Sequence, residues 1–592
     1  MSARLRSAAY PFALFAINLA VSWRYFRAGY VNQLPSIEGV FIAFEQYIQR
    51  HWPTYDWFAL WYGGMPFTRV YQPGLHYAAA ALATLTQIPA VHAYHALTAI
   101  TYSLGGAGFY YLAKALLSHE GKPIAPRATA FLGALLFSLF SPSTLVSRDI
   151  RADAGGILHP RRLQALTIYG EGPNVTGLTL GMFAMAAIHA AFRRRTPLAT
   201  CIAGAAVALV PMVSWPATVA LTVAIFCYLA ALEWSNPLDI LLRLSIVGLL
   251  AFGFASPFAP PSTILGTFAQ ANVMDEAPTP GPARWIAFAL LAIAFAAARF
   301  LLVRRRADFS LRFTLLWTLF TAWLVMSASS FGVRMIPFPL RFHLAMEIPA
   351  ILAATCLGAM LPRRRLLAGI VLLFCLAQFY MYRRWLHANI APIDIAGTAE
   401  YQMAKWTEAN LHGQRIFTRG TFGLWLNAFS DTPQVSGFFD QSISNPMDRH
   451  ASFLLAKGYL SDKDSADYSL LWLKAFGAAA IHIEGPNSAD YYKDFRFPDR
   501  FKGLLPVLWS RGDDVIYGVP ERFPGIARAV PVQDLVRHVP ANAVDDRELK
   551  PFVAALDDPS LSQARFHWQG ANRAQVTGSF EPGQAIALAI NY

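Results

Sequence analysis

Apolar residues fill the first two thirds of this chain in long blocks separated by short basic or polar stretches, and after Arg383-Arg384 the pattern turns mixed. Runs of about 17–25 apolar residues are long enough to cross a bilayer as helices. On that measure spans fall near 8–26, 93–116, 127–147, 174–192, 197–213, 215–232, 237–256, 284–303, 311–330, 341–361 and 366–382. The apolar stretch 72–90 fits less well. A full crossing there breaks the alternation set by the flanking charges, so it is re-entrant or interfacial, or a further span lies elsewhere. From about residue 386 charged and apolar positions alternate among abundant Asp, Gly and Pro, as in a water-exposed domain. Strand-like runs fall at Arg415–Thr418, Ala478–Ile483 and Val515–Val519, and helical runs at Thr398–Ala409 and Ser469–Phe476. A last block is all-β in pattern: Phe566-His567-Trp568, then Ala574–Phe580, a Glu581-Pro582-Gly583 turn, and Ala585–Ile590. Two or three strands make a poor independent sheet, so this block reads as an incomplete β-module.

Charge orients the chain. Arg193-Arg194-Arg195, Arg304-Arg305-Arg306 and Arg363-Arg364-Arg365 each flank an apolar run, and basic residues beside spans stay on the cytoplasmic side. The N-terminus, with Arg4 and Arg6, is then cytoplasmic. The first span lacks a small-residue cleavage site and reads as a retained anchor. The segment 27–92 and the region after 385 fall on the opposite, periplasmic face of a bacterial inner membrane. The organisation expected is 1–385 transmembrane, 386–545 a periplasmic α/β domain, and 546–592 the partial β-module. Composition agrees with a polytopic membrane protein: 592 residues, 55% hydrophobic and 14% charged. The net charge of +13 reads as positive-inside sorting and not as a nucleic-acid footprint. The four cysteines, Cys201, Cys227, Cys356 and Cys375, fall in predicted spans, so neither disulfides nor a thiol-ligated metal are expected.

The first outer loop is the richest segment. Ile37, Val40, Phe41, Phe44, Tyr47 and Ile48 recur at helical spacing, predicting an amphipathic helix over 36–50 with Ser36 as N-cap, lying in the membrane interface. Glu38 and Glu45 sit two turns apart on nearly one face. A carboxylate there can serve as general base towards an acceptor hydroxyl, or the two can hold a divalent ion; equally, they can be solvated residues of a polar face. Downstream come His51-Trp52-Pro53-Thr54-Tyr55-Asp56-Trp57, Trp61-Tyr62-Gly63-Gly64-Met65-Pro66-Phe67 and Tyr71-Gln72-Pro73-Gly74-Leu75-His76-Tyr77. In these motifs the chain resembles membrane glycosyltransferases of the GT-C class, and more narrowly a bacterial integral membrane family labelled 6-pyruvoyl-tetrahydropterin-synthase-related. The resemblance implies a GT-C-like polytopic α-helical membrane protein of about 11–13 transmembrane helices. It places Glu38 where that class carries a catalytic aspartate, with Asp56 as the second candidate. This chain departs from the pattern in having Glu at 38, and Gly74 where a second proline is common.

Two further constellations carry charge. The segment from Arg148 to Pro173 holds Arg148, Arg151, His159, Arg161, Arg162 and Glu171. Arginines kept on an outer face suit an anion, because guanidinium matches phosphate oxygens bidentately; on a cytoplasmic face the same arginines would merely sort topology. Arg341, His343 and Glu347 open another predicted span. They form either a site wall, with Arg341 on phosphate and Glu347 orienting His343 at i, i+4, or a snorkelling arginine beside a structural pair. The donor implied by the resemblance is a polyprenyl-phosphate-linked sugar, transferred with inversion to an envelope lipid, glycan or protein. The competing expectation is a non-enzymatic flippase of a lipid-linked glycan. No cofactor is required, and no metal is certain beyond what Glu38 and Glu45 could hold. No nucleic acid partner is expected.

Overall fold

The computed structural model describes residues 3–53, 56–118, 126–270, 277–362, 364–439, 445, 447–458, 462–520, 525–562, 564–569 and 573–590. Thr54-Tyr55, Arg363 and Asp440-Gln441, named above, lie outside the described residues. The chain divides into two units: Met1–Asn32 with Gln72–Pro392, and Gln33–Tyr71 with Ile393–Tyr592.

The first unit is helical. Helices Ala3–Phe26, Ala90–Leu117, Pro126–Leu139, Gly172–Arg194, Pro197–Leu209, Trp215–Ala231, Pro237–Ala255, Pro282–Arg304, Phe309–Phe331, His343–Met360 and Arg364–Asn389 stand where the apolar runs predict spans. Among the described residues six segments are long and apolar enough to cross a membrane: Gly172–Arg194, Pro237–Ala255, Pro282–Arg304, Phe309–Phe331, Pro339–Met360 and Arg365–Asn389. Their boundaries follow local chemistry. Thr196, Ser214 and Asn236 each accept a backbone N–H through the side chain, and a proline occupies the first turn that follows. Small residues let helices approach closely. A Cβ on Gly106 would meet Ser138 Oγ at 2.8 Å and Asn18 Nδ2 at 2.9 Å, and Asn18 Nδ2 donates to Ser138 Oγ at 2.8 Å.

Two expectations change here. The span foreseen over 127–147 stops at Leu139, because Pro142 interrupts the pattern; a separate short helix, Ser143–Val146, follows. The doubtful stretch 72–90 is a 13-residue helix, Gly74–Thr86, ended by Gln87 at φ 57°. At about 1.5 Å per residue it rises roughly 20 Å, too short for a full crossing.

The second unit is mixed α/β. Two short strands, β1 (Trp57–Phe58) and β2 (Met65–Pro66), pair in the loop segment. The main sheet runs in the order β3 (Arg415–Phe417), β4 (Ala478–Glu484), β6 (Asp514–Gly518), β5 (Val507–Arg511). The β3–β4 pair is parallel and the others antiparallel. Phe417, Leu455, Leu473, Ile481, Phe501 and Tyr517 form its core. The last three strands do not share one sheet. Strand β8 (Arg565–Trp568) pairs with β9 (Ala574–Thr577), but β10 (Gln584–Leu588) pairs antiparallel with β7 (Ala527–Pro531). Helix Leu549–Leu556 packs on that pair through Ala555 and Leu556 against Val530. The apolar face of β10 thus finds its partner in the α/β region, which the alternation alone does not reveal.

The loop helix is the clearest correction. It spans Glu38–His51, and its faces are buried within the second unit instead of lying in a membrane interface. A Cβ on Gly39 would meet Trp425 Cδ2 at 2.6 Å and Leu424 O at 2.9 Å, so the helix lies tight on helix Gly420–Phe429. Trp425 Nε1 donates to Leu34 O at 2.7 Å, and Trp61 Nε1 to Asn427 Oδ1 at 3.0 Å. Phe44 sits among Phe58, Trp61 and Phe67 in edge-to-face contacts of 5.2–5.8 Å. Ile37, not Ser36, occupies the cap position, and Ser36 Oγ accepts from Glu38 N at 3.3 Å.

Candidate functional site

Residues of the first unit line a cavity of about 240 Å³. Its walls are helix Arg148–Ala154, helix Arg161–Thr167, the start of helix Gly172–Arg194, and the turn Pro339–Phe342 leading into His343. The segment expected as a loop is therefore largely helical. Ser147 caps the first of these helices through Oγ, and Gly155 at φ 80° ends it. Gly170 at φ 70° then turns the chain so that Glu171 precedes the next helix.

Arg161 is the centre of the cavity wall and is 8% exposed. Its Nε donates to His343 Nε2 at 3.0 Å, its Nη1 donates to Gln164 Oε1 at 2.8 Å, and Nη1 is ion-paired with Asp153. His343 Nδ1 lies 2.5 Å from Leu340 O, a carbonyl that can only accept. These two partners define a neutral imidazole carrying its proton on Nδ1. Tyr169 donates its hydroxyl to Asp153 Oδ1 at 2.5 Å, and the Arg161 guanidinium lies 5.4 Å over the Tyr169 ring. Burial first, and then the hydrogen bond to Asp153, push the Tyr169 phenol up to about 12. Arg341 pairs with Glu171 at 3.5 Å and lies 4.7 Å over Phe338. The Arg161 contacts with His343, Gln164 and Asp153 use Nε and Nη1.

Not every predicted residue lies here. Arg161, Glu171, Arg341 and His343 line the cavity together with Asp149, Asp153, Tyr169 and Asn174. Arg151 is committed elsewhere: Nε donates to Thr144 O at 2.9 Å and Nη2 to Leu145 O at 2.8 Å, closing the short helix before it. His159 Nδ1 donates to Ala154 O at 2.7 Å and fixes the turn at Gly155. Arg148 is exposed at the start of its helix. Arg162 and Glu347 form a separate interior cluster. The Arg162 guanidinium lies 4.0 Å over Phe137 and 5.0 Å over Tyr102, within electrostatic reach of Glu347. Glu347 accepts from Ser143 Oγ at 2.6 Å and is 1% exposed. The i, i+4 pair of Glu347 with His343 does not form, because Arg161 and Leu340 already hold both imidazole nitrogens. Gln164 and Asn174 went unnoticed in the sequence; the only trace is Gln164 three residues after Arg161 on a helix.

The helices Gly172–Arg194 and His343–Met360, with helix Trp215–Ala231 and Trp317, also line a separate small apolar pocket of about 20 Å³. The first of these helices contributes Leu178, Gly181, Met182 and Met185, and the second Ala345 and Ile348. A Cβ on Gly181 would meet nothing within 4 Å.

In the second unit Glu38 and Glu45 are both buried. Burial, and then the charge of Glu38, raise the Glu45 carboxyl well above its usual value, which favours its neutral form. Asp56 is exposed, and its backbone carbonyl accepts from Phe67 N at 2.7 Å. Among the described residues no group of three or more His, Cys, Asp or Glu side chains is placed to hold a metal ion. Glu38 and Glu45 offer two carboxylates, short of such a group.

Against solved structures, the fold is similar to the oligosaccharyltransferase of Archaeoglobus fulgidus, at 11% identity and TM-score 0.52, over 81% of this chain and 69% of that one. It is also similar to the arabinofuranosyltransferase AftD from Mycobacteria, at 15% identity and TM-score 0.50, over 91% of this chain and 44% of that one. Both are membrane glycosyltransferases of the GT-C class. The chain has a GT-C-like fold. It matches no family model, and no curated protein matches it in sequence. At these identities the likeness is one of architecture: a helical membrane unit plus a sheet-containing C-terminal region.

Proposed function

We propose that this chain is a membrane glycosyltransferase that moves a sugar from a polyprenyl-phosphate donor to an envelope lipid, glycan or protein on the periplasmic face of a bacterial inner membrane. One observation carries the reading: two arginines, Arg161 and Arg341, line one cavity of the helical unit. Two guanidinium groups at one cavity suit a phosphate head group. GT-C-like architecture supports the same class of reaction.

Transfer with inversion requires the acceptor oxygen to attack the anomeric carbon as the bond from that carbon to the phosphate oxygen breaks. The electron pair and negative charge leave with the phosphate. Arg161 and Arg341 stabilise that charge, as fixed cationic groups do in a water-poor site. The Arg161 side chain is held in place by Asp153, Gln164 and His343, so its remaining N–H groups meet the anion without reorganisation. We assign the acceptor proton to Glu38, with Asp56 as the alternative base; Glu45, biased to its neutral form, is the poorer candidate.

The experiment is mass spectrometry of envelope glycolipids and glycans from cells carrying wild type, Arg161→Ala, Glu38→Gln or a deletion. The expected result is loss of one sugar modification in all three altered strains, the missing mass naming the sugar. Accumulation of a lipid-linked intermediate in the deletion, with normal glycans in Glu38→Gln, would make the chain a carrier of that lipid and not a transferase.

A further inference from the structure

Most polar side chains of the cavity in the helical unit already have partners. Arg161 is held by Asp153, Gln164 and His343, Glu171 by Arg341, and the Tyr169 hydroxyl by Asp153. Asn174 is the exception. It lines the same cavity and is 5% exposed, yet its carboxamide makes no hydrogen bond among the described residues. Asp149, in the first turn of helix Arg148–Ala154, also lines the cavity, and its carboxylate has neither hydrogen bond nor ion pair among the described residues.

A carboxamide carries both donors and an acceptor. Water can serve them in an open cavity, but a ligand that fills it strips that water and must supply both kinds of partner. An ionised phosphate oxygen only accepts, and a hydrocarbon tail does neither. A sugar hydroxyl donates and accepts. Position agrees with this division. Asn174 follows Glu171, the partner of Arg341, by three residues, and Asp149 precedes Asp153, the partner of Arg161, by one helical turn. The two open side chains therefore stand next to the anchors of both guanidinium groups, where a ring bonded to a phosphate would lie. The cavity volume of about 240 Å³ equals roughly eight waters at about 30 Å³ each, room for one sugar ring and not for an oligosaccharide.

Charge narrows the sugar. Three carboxylates, Asp149, Asp153 and Glu171, line the cavity against two guanidinium groups. With both arginines facing the donor phosphate, an acidic sugar would set a second anion against Asp149 with no cation left to meet it. We propose that Asn174 and Asp149 recognise the sugar of the donor, and that this sugar carries hydroxyls and no acidic group. The Asn174 carboxamide exchanges hydrogen bonds with one ring hydroxyl, and Asp149 accepts from another. This assignment rests on the function proposed above, which puts the phosphate at Arg161 and Arg341.

The test is calorimetry on the full chain in lipid nanodiscs. The probes are farnesyl phosphate alone and farnesyl phosphates bearing mannose, galactose, arabinofuranose or glucuronic acid. At least one neutral sugar should tighten binding by about tenfold or more over farnesyl phosphate, and glucuronic acid should not. Asn174→Leu, which keeps the bulk and removes the amide, should cost that gain about tenfold while farnesyl phosphate binds as before. Asp149→Asn should bring glucuronic acid closer in affinity to the neutral sugars, a change in selectivity that a merely structural role would not produce. Thermal unfolding checks each variant, and if Asn174→Leu does not fold, Asn174→Ala decides. Arg161→Ala separates the two readings. If it weakens farnesyl phosphate while the folded Asn174 variant keeps the full sugar gain, the sugar assignment fails alone. It also fails alone if no neutral sugar adds to farnesyl phosphate, or if glucuronic acid binds as tightly as the neutral sugars. If farnesyl phosphate does not bind, or binds as well without Arg161, the phosphate reading fails and the sugar assignment with it.

Discussion

Strand pairing in the second unit sets two carboxylates directly opposite each other: Glu484 on β4 pairs with Asp514 on β6, and both are buried. Glu484 accepts from Phe495 N at 2.9 Å, but burial dominates and pushes its carboxyl from 4.5 up to about 7. Burial likewise pushes Asp514 from 3.8 to about 6. A carboxyl whose folded value lies above its unfolded value binds protons more tightly when folded. It therefore stabilises fully below the unfolded value, and that stability is lost as pH rises through the folded value. For Glu484 the shift is 7 less 4.5, about 2.5 pH units, or about 3 kcal/mol as an upper bound at 1.36 kcal/mol per unit. The charges of Asp490 and Asp494 add to the effect of burial on Glu484. For a region of this size 3 kcal/mol corresponds to roughly 6–12 °C in melting temperature. The perturbation is Glu484→Gln, read by intrinsic-fluorescence melting of the full chain from pH 4 to pH 8. The wild type should lose stability between about pH 4.5 and 7. The variant should lose less, match the wild type near pH 4, and exceed it at pH 8. Parallel curves for the two proteins would refute the argument, because they would mean that Glu484 ionises when folded as easily as when unfolded.

Other consequences are local. Arg161→Ala and Arg341→Ala should each lower transfer by about 10–100-fold in kcat/KM, the worth of a charge-assisted hydrogen bond to a developing anion, and Arg161→Lys should not rescue it, because a lysine cannot serve His343, Gln164 and a phosphate together; in vitro transfer from a polyprenyl-phosphate sugar measures both. Gly39→Ala should destabilise the second unit by about 1–3 kcal/mol, since the new methyl meets the Trp425 ring and a backbone carbonyl; a melting shift near zero would mean the two helices can separate freely. Asp153→Asn should leave the fold intact but loosen Arg161, raising KM for the donor more than it lowers kcat.

The helical membrane unit was legible in the sequence because its signal is long-range composition: eleven apolar runs, and eleven helices in their places. The strands at 415–417, 478–484 and 514–518 also followed from alternation and β-branched content. Two things did not. The periodicity of Glu38–His51 correctly gave a helix, yet one apolar face is compatible with a bilayer surface or with a protein partner, and only Gly39 against Trp425, nearly four hundred residues away in sequence, distinguishes them. The pairing of β10 with β7 is hidden for the same reason, since a strand pattern says that an edge needs a partner but not which one.

The arginines show where site reading reaches its limit. Charge alone made Arg148, Arg151, Arg161 and Arg162 equivalent. Helical phase separates them: Arg161 and Arg162 are adjacent on one helix and so point about 100° apart. Arg161 meets Asp153 and His343 at the cavity, while Arg162 turns inward to the rings of Phe137 and Tyr102. There Arg162 Nη2 donates to Ser138 O at 3.4 Å, while Nε and Nη1 are buried without a hydrogen-bond partner among the described residues. Arg161 is different: its partner Asp153 is 44% exposed, and water can solvate that carboxylate alone. Holding Arg161 at the cavity with an ion pair, an amide and an imidazole serves little for stability. On the proposed function it serves an anion that arrives there, which is the reason to place the donor phosphate at this residue.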